Sequence, residues 1–407
     1  MSNFGPIGVE TLPHPATGFA GVGATCTLRI RERSRMEWRS TEGGDPAQHL
    51  EDFLTADGLN VRSFSTPSLS RSVAKSESVS LCGAAILISA AGAAAMVERG
   101  PVAKPTPAPA VPDLVAVVYE HFGTGEPAPG SSPAAREWRL GEWEPSWTPA
   151  EHAAAVAAAR EAIGRGDVYQ VNVVGHASAP YVGDPLPALA RLGGLPGAHY
   201  GGVLTGAGWA IGCASPETLI KVAGGRVTTK PIKGTRKATA EGRRELLASA
   251  KERAEHIMIV DLARNDLGRV ARTGSVRVDE LFAIRTWSDL WQAESVVSAE
   301  LADGIGLADL LRATCPGGSV TGAPKLAALE QIAALEPVGR GPSMGALGWI
   351  DAGGDLDLGL TIRTAAADAD RLHLWAGGGI TWGSDPAAEV AEAAAKAAPL
   401  RRLLTSS

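Results

Sequence analysis

A chain of 407 residues with 45% apolar side chains is long enough for one large core or two closely joined ones. Its 38 Lys and Arg against 44 Asp and Glu leave a net charge of −6, which removes any electrostatic drive toward nucleic acid or an anionic membrane surface. The four cysteines, Cys26, Cys82, Cys213 and Cys315, stand far apart, so they form no zinc-ligand pattern, redox pair or disulfide framework, and a reducing, cytoplasmic setting is expected.

The first residues, Met1 to Pro6, show no basic stretch leading into an apolar one, so no secretory leader is expected. Ser78–Val97 is uncharged over the length of a membrane span, but it is built largely of Ala, Gly and Ser. That composition predicts a buried strand or helix and no span. Val102–Pro112 reads as a linker or surface loop, Leu114–Tyr119 as a buried strand, and Gly123–Ala134 as a second loop. Thr148-Pro-Ala-Glu151 writes a capping box with Pro at the first helical position, and the helix it opens is predicted to run to Ile163 and stop near Gly164. A strand over Val168–Val174 follows. Further β-rich runs (Trp209–Ile211, Ser275–Val278, Arg371–Trp375) then alternate with Ala-rich helices, which points to an α+β or mixed α/β enzyme fold.

Three groups of residues could carry chemistry. Glu252 and Glu255 share a face of a helix predicted to begin near Glu241, and Asp385-Pro386 opens another helix carrying Glu389, Glu392 and Lys396 on one stripe. Two such helices could clamp a hard cation through oxygen ligands, or they could simply show carboxylates to water. Lys233, between Ile232 and Gly234, has little neighbouring side chain; if buried it would lose proton affinity and become a nucleophile, and otherwise it is a turn lysine. Glu217, after Pro216, could be a desolvated acid or base, or a strand-end carboxylate. Cys315–Lys325 is a glycine-rich approach to a helix over Pro324–Leu335, suited to an anion but lacking the Gly-Lys-Ser/Thr ending of a P-loop. Ala376–Ile380 reads as a second glycine loop. Arg363 is expected in an apolar-alternating strand, to hold either a carboxylate or a structural ion pair. Asp261–Arg269 is read as a helix end and tight turn.

In chain order these segments resemble the chorismate-binding enzymes, a family that includes anthranilate synthase component I, aminodeoxychorismate synthase component I, and isochorismate and salicylate synthases. The resembling words are Gly166-Asp-Val-Tyr-Gln-Val-Asn172, Ser215-Pro-Glu217, Pro231-Ile-Lys-Gly-Thr235, Arg253-Ala-Glu-His256, Met258-Ile-Val-Asp-Leu262, Arg264–Val270, Gly318-Ser-Val-Thr-Gly-Ala-Pro-Lys325, Ile362-Arg-Thr364 and Gly377-Gly-Gly-Ile380. The resemblance implies an α+β fold like that of anthranilate synthase component I, with two antiparallel β-sheets packed as a sandwich flanked by helices. Residues 1–145 would be the weakly recognisable N-terminal portion and 146–407 the chorismate-binding catalytic portion. It further implies Mg²⁺ held by Glu255 and Glu392, with Glu252 and Glu389 nearby through water. Arg363, Lys396, Gly378, Gly379, Thr321 and Gly322 would position the substrate, and Thr235 would sit beside the reacting ring.

Lys233 sorts the chain within that resemblance. Anthranilate synthases usually carry Ala there and aminodeoxychorismate synthases Lys, whose amine adds to C2 of chorismate while Glu217 shuttles the proton for the departing C4 hydroxyl. Gln292 stands where the family often has His, and Ser343 where it tends to have an aromatic residue; the first agrees with an enzyme that stops before pyruvate loss, and the second puts one substrate contact in doubt. No cysteine sits in a glutaminase-like elbow, so ammonia is expected from a partner glutamine amidotransferase subunit or from solution.

Overall fold

A computed structural model describes residues 28–64, 80–124, 138–287 and 289–406. The N-terminal segment, Cys26 and most of the 123–134 loop lie outside them. The chain opens with β1 (Leu28–Trp38), α1 (Pro46–Ala56), β2 (Ser80–Ile88), α2 (Ala90–Ala95) and β3 (Leu114–Thr124). Two short strands, β4 (Arg139–Leu140) and β5 (Glu144–Pro145), lead to α3 (Pro149–Arg165), the long β6 (Gln170–Val182) and α4 (Leu186–Leu192). A run of strands follows: β7 (Tyr200–Gly206), β8 (Trp209–Ser215), β9 (Thr218–Ala223), β10 (Arg226–Lys230) and β11 (Ile232–Lys237). Next come α5 (Ala240–Ala248), α6 (Ala250–Gly268), β12 (Arg277–Trp287), β13 (Leu290–Glu300), α7 (Leu307–Thr314), β14 (Gly322–Ala323) and α8 (Lys325–Leu335). The chain ends with β15 (Ala346–Asp351), β16 (Leu356–Leu360), β17 (Thr364–Asp368), β18 (Arg371–Ile380) and α9 (Pro386–Thr405).

The strands form two antiparallel sheets. One has ten strands, in the order β1-β3-β2-β15-β16-β9-β10-β13-β11, with β12 also on β13. The other has eight, in the order β14-β6-β18-β17-β8-β7, with β4 and β5 also on β6. Their inner faces share one core: Ile86, Val117, Ile220 and Leu358 from the first meet Leu204, Trp209, Ile211 and Trp375 from the second. Because side chains alternate along a strand, the opposite face of the eight-stranded sheet also needs cover. Leu372 and Leu374 of β18 lie under α4 and α9, and Val171 and Val173 of β6 under α3 and α8. The sandwich flanked by helices is therefore as expected.

Local signals explain most boundaries. Thr148 caps α3 through the capping box with Glu151, and Gly166 at φ +84 closes it, two residues past the expected stop. Asp385 accepts from Ala388 N–H and starts α9. The uncharged stretch becomes β2 and α2, whose residues are largely buried, and no helix among the described residues is long and apolar enough to cross a membrane. Val102–Pro112 is irregular but not a free linker: Ala108 and Val111 are buried, and Pro105 C=O accepts from Gly339 N–H.

Four expectations change. The helix predicted from Glu241 is two helices broken at Ser249, whose hydroxyl accepts from Glu252 N–H and so restarts the helix as its N-cap. Asp261–Arg269 holds the expected helix end but is mostly helix, since α6 runs on to Gly268 and the chain turns only at Arg269. Ala376–Ile380 is no loop but the end of β18, paired residue for residue with β6. Arg363 stands between β16 and β17 at φ +53, outside any strand.

Two buried histidines tie stability to pH. His176 bonds Ser146 Oγ at 2.6 Å through Nδ1 and His373 Nδ1 at 3.1 Å through Nε2. Burial pushes His176 down to about 3 and His373 to about 4, with His373 and Arg371 also opposing charge on His176. Between pH 4 and the ordinary 6.5 the unfolded chain therefore binds protons that the folded chain refuses. Stability is complete above that window and drains as pH falls, by about 1.4 kcal/mol per pH unit for each histidine. Urea unfolding at pH 7, 6 and 5 should show the midpoint falling; an unchanged midpoint from pH 7 to 5 would refute this account.

Candidate active site

The site lies where the chain crosses from one sheet to the other. Ser215-Pro-Glu217 carries the chain from β8 in the eight-stranded sheet to β9 in the ten-stranded one, and Thr361-Ile-Arg363 carries it back from β16 to β17. The crossings run side by side: Leu360 N–H donates to Glu217 C=O and Ala214 N–H to Arg363 C=O, each at 3.0 Å. A rigid frame of strand ends thus holds both Glu217 and Arg363 at one cleft.

Lys233 enters that cleft from β11. Gly234, at φ +76, adds one residue opposite β13 and makes a bulge there. Bulges of this kind re-aim neighbouring side chains, and Ile232, Lys233, Gly234 and Thr235 all line the cleft. Lys233 Nζ donates to Ser319 C=O at 3.1 Å, and Ser319 Oγ donates to Glu217 Oε1 at 2.6 Å. One serine therefore binds both groups. Ile232 N–H also donates to Glu217 Oε1, at 3.3 Å. Burial lifts the Glu217 carboxyl above its ordinary range, against the Ser319 bond and the Lys233 charge. Burial pushes the Lys233 ammonium down, against the Glu217 charge. Each shift favours the uncharged form, a carboxylic acid beside an amine.

The acids come from two helices. On α6, Glu252 accepts from Arg236 at 3.0 Å and Glu255 from Thr381 Oγ1 at 2.8 Å. On α9, Glu392 pairs with Lys396 Nζ at 2.6 Å, and that ammonium also donates to Gly377 C=O. The glycines of β18 are the wall these groups press on. A Cβ at Gly378 would lie 3.2 Å from Glu389 Oε2, 3.4 Å from Lys396 Nζ and 3.9 Å from Glu392 Oε1. One at Gly379 would lie 2.9 Å from Gln170 Nε2 and 3.0 Å from Lys233 Nζ. Their missing side chains are room for the cleft's polar groups, a different use from the loop N–H groups expected. Arg363 is buried, with its guanidinium 4.3 Å from the Trp287 ring centroid and Nη1 donating to Lys396 C=O. Burial brings it down to about 10, so it keeps its charge at neutral pH.

The cleft thus brings together Glu217, Lys233, Thr235, Glu252, Glu255, Arg363, Gly378, Gly379, Glu389, Glu392 and Lys396. It does not bring in Thr321 or Gly322. Thr321 Oγ1 turns to Gly317 C=O, and Gly322 pairs with Val171 so closely that a Cβ would sit 2.1 Å from Gln170 C=O. Ser319 and Val320 reach the cleft from that segment instead. Gln292 lines the cleft opposite Thr235, whereas Ser343 is buried outside it and Met344 takes the wall position.

Three features escaped the sequence reading. Gln170 is fully buried with neither amide atom partnered, and Asn172 Oδ1 is likewise buried and unpartnered. Their Gln-x-Asn spacing on a strand was the available signal, since it sets both on one face. The third is Arg340, which pairs with buried Glu336 at 2.6 Å and donates to Val320 C=O and Asn172 C=O, tying the Ser319 segment to β6. Nothing in the sequence marks it. Arg340→Ala would strand a buried carboxylate and two carbonyls, so a loss of about 3–5 kcal/mol is expected in denaturant unfolding. A loss below about 1 kcal/mol would show the pair to be dispensable.

Among the described residues no three His, Cys, Asp or Glu stand close enough to hold a metal by themselves. The donor chemistry nevertheless suits Mg²⁺, which takes only one or two protein carboxylates and completes its shell with water and substrate. Glu389 and Glu392 both reach the space over Gly378, and Glu252 and Glu255 line the same cleft.

Residues 104–402 match the family described as chorismate binding enzyme. The chain is 38% identical over 290 residues to anthranilate synthase component 1 of Streptomyces coelicolor, covering 70% of this chain and 56% of that one. It is 40% identical over 256 residues to aminodeoxychorismate synthase component 1 of Salmonella typhimurium, covering 61% and 56%. The chain therefore spans little more than half the length of these curated relatives. Among solved structures, anthranilate synthase component I from Streptococcus pneumoniae superposes with a TM-score of 0.74 at 26% identity over 93% of both chains.

Proposed function

The chain belongs to the chorismate binding enzyme family, and on that footing we propose that it replaces the C4 hydroxyl of chorismate by an amino group, the reaction of aminodeoxychorismate synthase component I. The observation that carries this reading is Lys233, held in the cleft by the serine that also binds Glu217. In this reaction the Lys233 amine forms a bond to C2, the two ring double bonds shift from C1=C2 and C5=C6 to C1=C6 and C4=C5, and the C4–O bond breaks as Glu217 gives its proton to the departing hydroxyl, which leaves as water. Ammonia then bonds to C4, both double bonds shift back, the C2–N bond breaks to release the lysine amine, and the new C4 ammonium returns a proton to Glu217. Splitting one difficult substitution into two easier ones is what a covalent nucleophile contributes. Arg363 and Lys396 hold the substrate's carboxylates.

Mg²⁺ is proposed at Glu255 and Glu392, with Glu252 and Glu389 nearby, where it would neutralise a substrate carboxylate. Ammonia would come from a partner glutamine amidotransferase or from solution, and a cytoplasmic location suits both. The relatives fall on both sides of the anthranilate and aminodeoxychorismate division; Lys233 is the reason to choose the second.

The test is to incubate the chain with chorismate, Mg²⁺ and excess ammonium salt, and to separate the products with mass detection. Aminodeoxychorismate without anthranilate is expected. Anthranilate would move the chain to the neighbouring activity, and no consumption of chorismate, with or without a glutaminase subunit, would overturn the proposal.

A further inference from the structure

We infer that the chain has a second small-molecule site, behind the cleft, which binds a one-ring aromatic carboxylate. A cavity of about 290 Å³ opens between α9, the start of α3 and strands β6 and β18. That is near the lower end of small-molecule sites, about 300–1,000 Å³, and suits a single ring. Its walls are of two kinds. Trp143, Trp147 and His152 supply aromatic surface. Val390, Ala393, Ala394 and Ala397 supply a stripe of small apolar side chains on α9, at the i, i+3, i+4, i+7 spacing of one helical face.

The polar groups decide the ligand. His176 is committed to Ser146 and His373, and Thr148 Oγ1 to its capping box with Glu151. Among the remaining N–H donors, Trp143 Nε1 and Arg401 Nε are buried with no hydrogen-bond partner. Arg401 lies over the Trp143 ring, 5.1 Å from its centroid, so the two donors belong to one corner. A cation–π contact offsets part of the burial of a guanidinium but satisfies no N–H. A buried donor without an acceptor costs about 1–3 kcal/mol. Burial alone moves the Arg401 pKa, downward, and no carboxylate opposes it. Trp143 and the cationic Arg401, lining one aromatic and methyl-walled cavity, are complementary to a planar ring bearing a carboxylate.

The site is distinct from the cleft. The stripe Val390, Ala394, Ala397 and Arg401 lies beside the stripe Glu389, Glu392 and Lys396 on the same helix, and Ala376 of β18 borders both spaces.

Titration calorimetry of the full chain with benzoate and with benzamide tests this. Benzoate should bind, and benzamide, which keeps the ring and loses the charge, should bind at least about tenfold more weakly. Arg401→Gln and Ala394→Leu should each weaken benzoate at least about tenfold, the first by removing the charge and the second by filling the cavity from an exposed helix position. Lys233→Ala should leave benzoate binding unchanged, and thermal melts of each variant should show the folded state intact. Failure of benzoate to bind the wild-type chain at about 10 mM would overturn the proposal. So would binding that Arg401→Gln and Ala394→Leu both leave unaltered, or that Lys233→Ala abolishes, because the ligand would then be in the chorismate cleft.

Discussion

Lys233→Ala is expected to lower formation of the C4-aminated product by roughly a thousandfold or more, the scale seen when a covalent nucleophile is removed. The fold should survive it. Lys233 is half-buried and its desolvation disfavours the ammonium, so removing it takes no favourable buried charge from the fold. Glu217, which burial pushes toward its neutral form, keeps its bonds from Ser319 Oγ and Ile232 N–H. Melting should therefore shift by only a few degrees while turnover collapses. Lys233→Met, which keeps the stem, separates lost chemistry from lost packing and should be as inactive as Lys233→Ala. A second readout is independent of turnover: with ammonia withheld, the wild-type chain should accumulate a covalent chorismate adduct in intact-mass measurements, and neither variant should. Aminated product from Lys233→Ala at near wild-type rate would remove the lysine from the mechanism and, with it, the reason to prefer this reaction over anthranilate formation.

Much of this arrangement was legible because it rests on local chemistry. Thr148-Pro-Ala-Glu151 and Asp385-Pro386 name helix starts through side-chain bonds to their own backbone, and both start where expected. The acids on α6 and α9 follow from helical spacing. What the sequence could not show depends on partners far along the chain. Gly377, Gly378 and Gly379 look like a turn until β6 pairs with them. Their lack of side chains then serves Lys233 on β11 and Glu389 and Lys396 on α9, residues from two other places in the chain. Arg363 looked like a strand residue because Leu360-Thr-Ile alternates, but the chain must leave one sheet for the other there, and a left-handed residue makes that turn. Ser319 was hidden for the opposite reason. It sits in a word whose glycines suggested a backbone anion site, and only its bonds to Lys233 and Glu217 show that side chain and carbonyl both matter.

With Mg²⁺ at the proposed site, Glu255→Gln and Glu392→Gln should each weaken its binding in the presence of chorismate by about a hundredfold or more, since each would remove a charged oxygen ligand from a cation that takes few. The two should differ in a way the surroundings dictate. Glu392 is paired with Lys396 at 2.6 Å, so its loss also frees an ammonium in the cleft. That cation repels Mg²⁺ and attracts the substrate's carboxylate. Glu392→Gln should therefore lose metal affinity while chorismate binding without metal rises or holds. Glu255 accepts from the neutral Thr381 hydroxyl, a bond the amide oxygen of Glu255→Gln can keep, so this variant should lose metal affinity. Glu252 is paired with Arg236, so on the proposed site Glu252→Gln should cost less than either, about tenfold. Calorimetric titration of Mg²⁺ into the chorismate-saturated chain measures all three without requiring turnover. Equal affinities for wild type, Glu255→Gln and Glu392→Gln would overturn the proposed metal site. A larger loss for Glu252→Gln than for Glu255→Gln would reverse the order in which the two turns of α6 serve the metal.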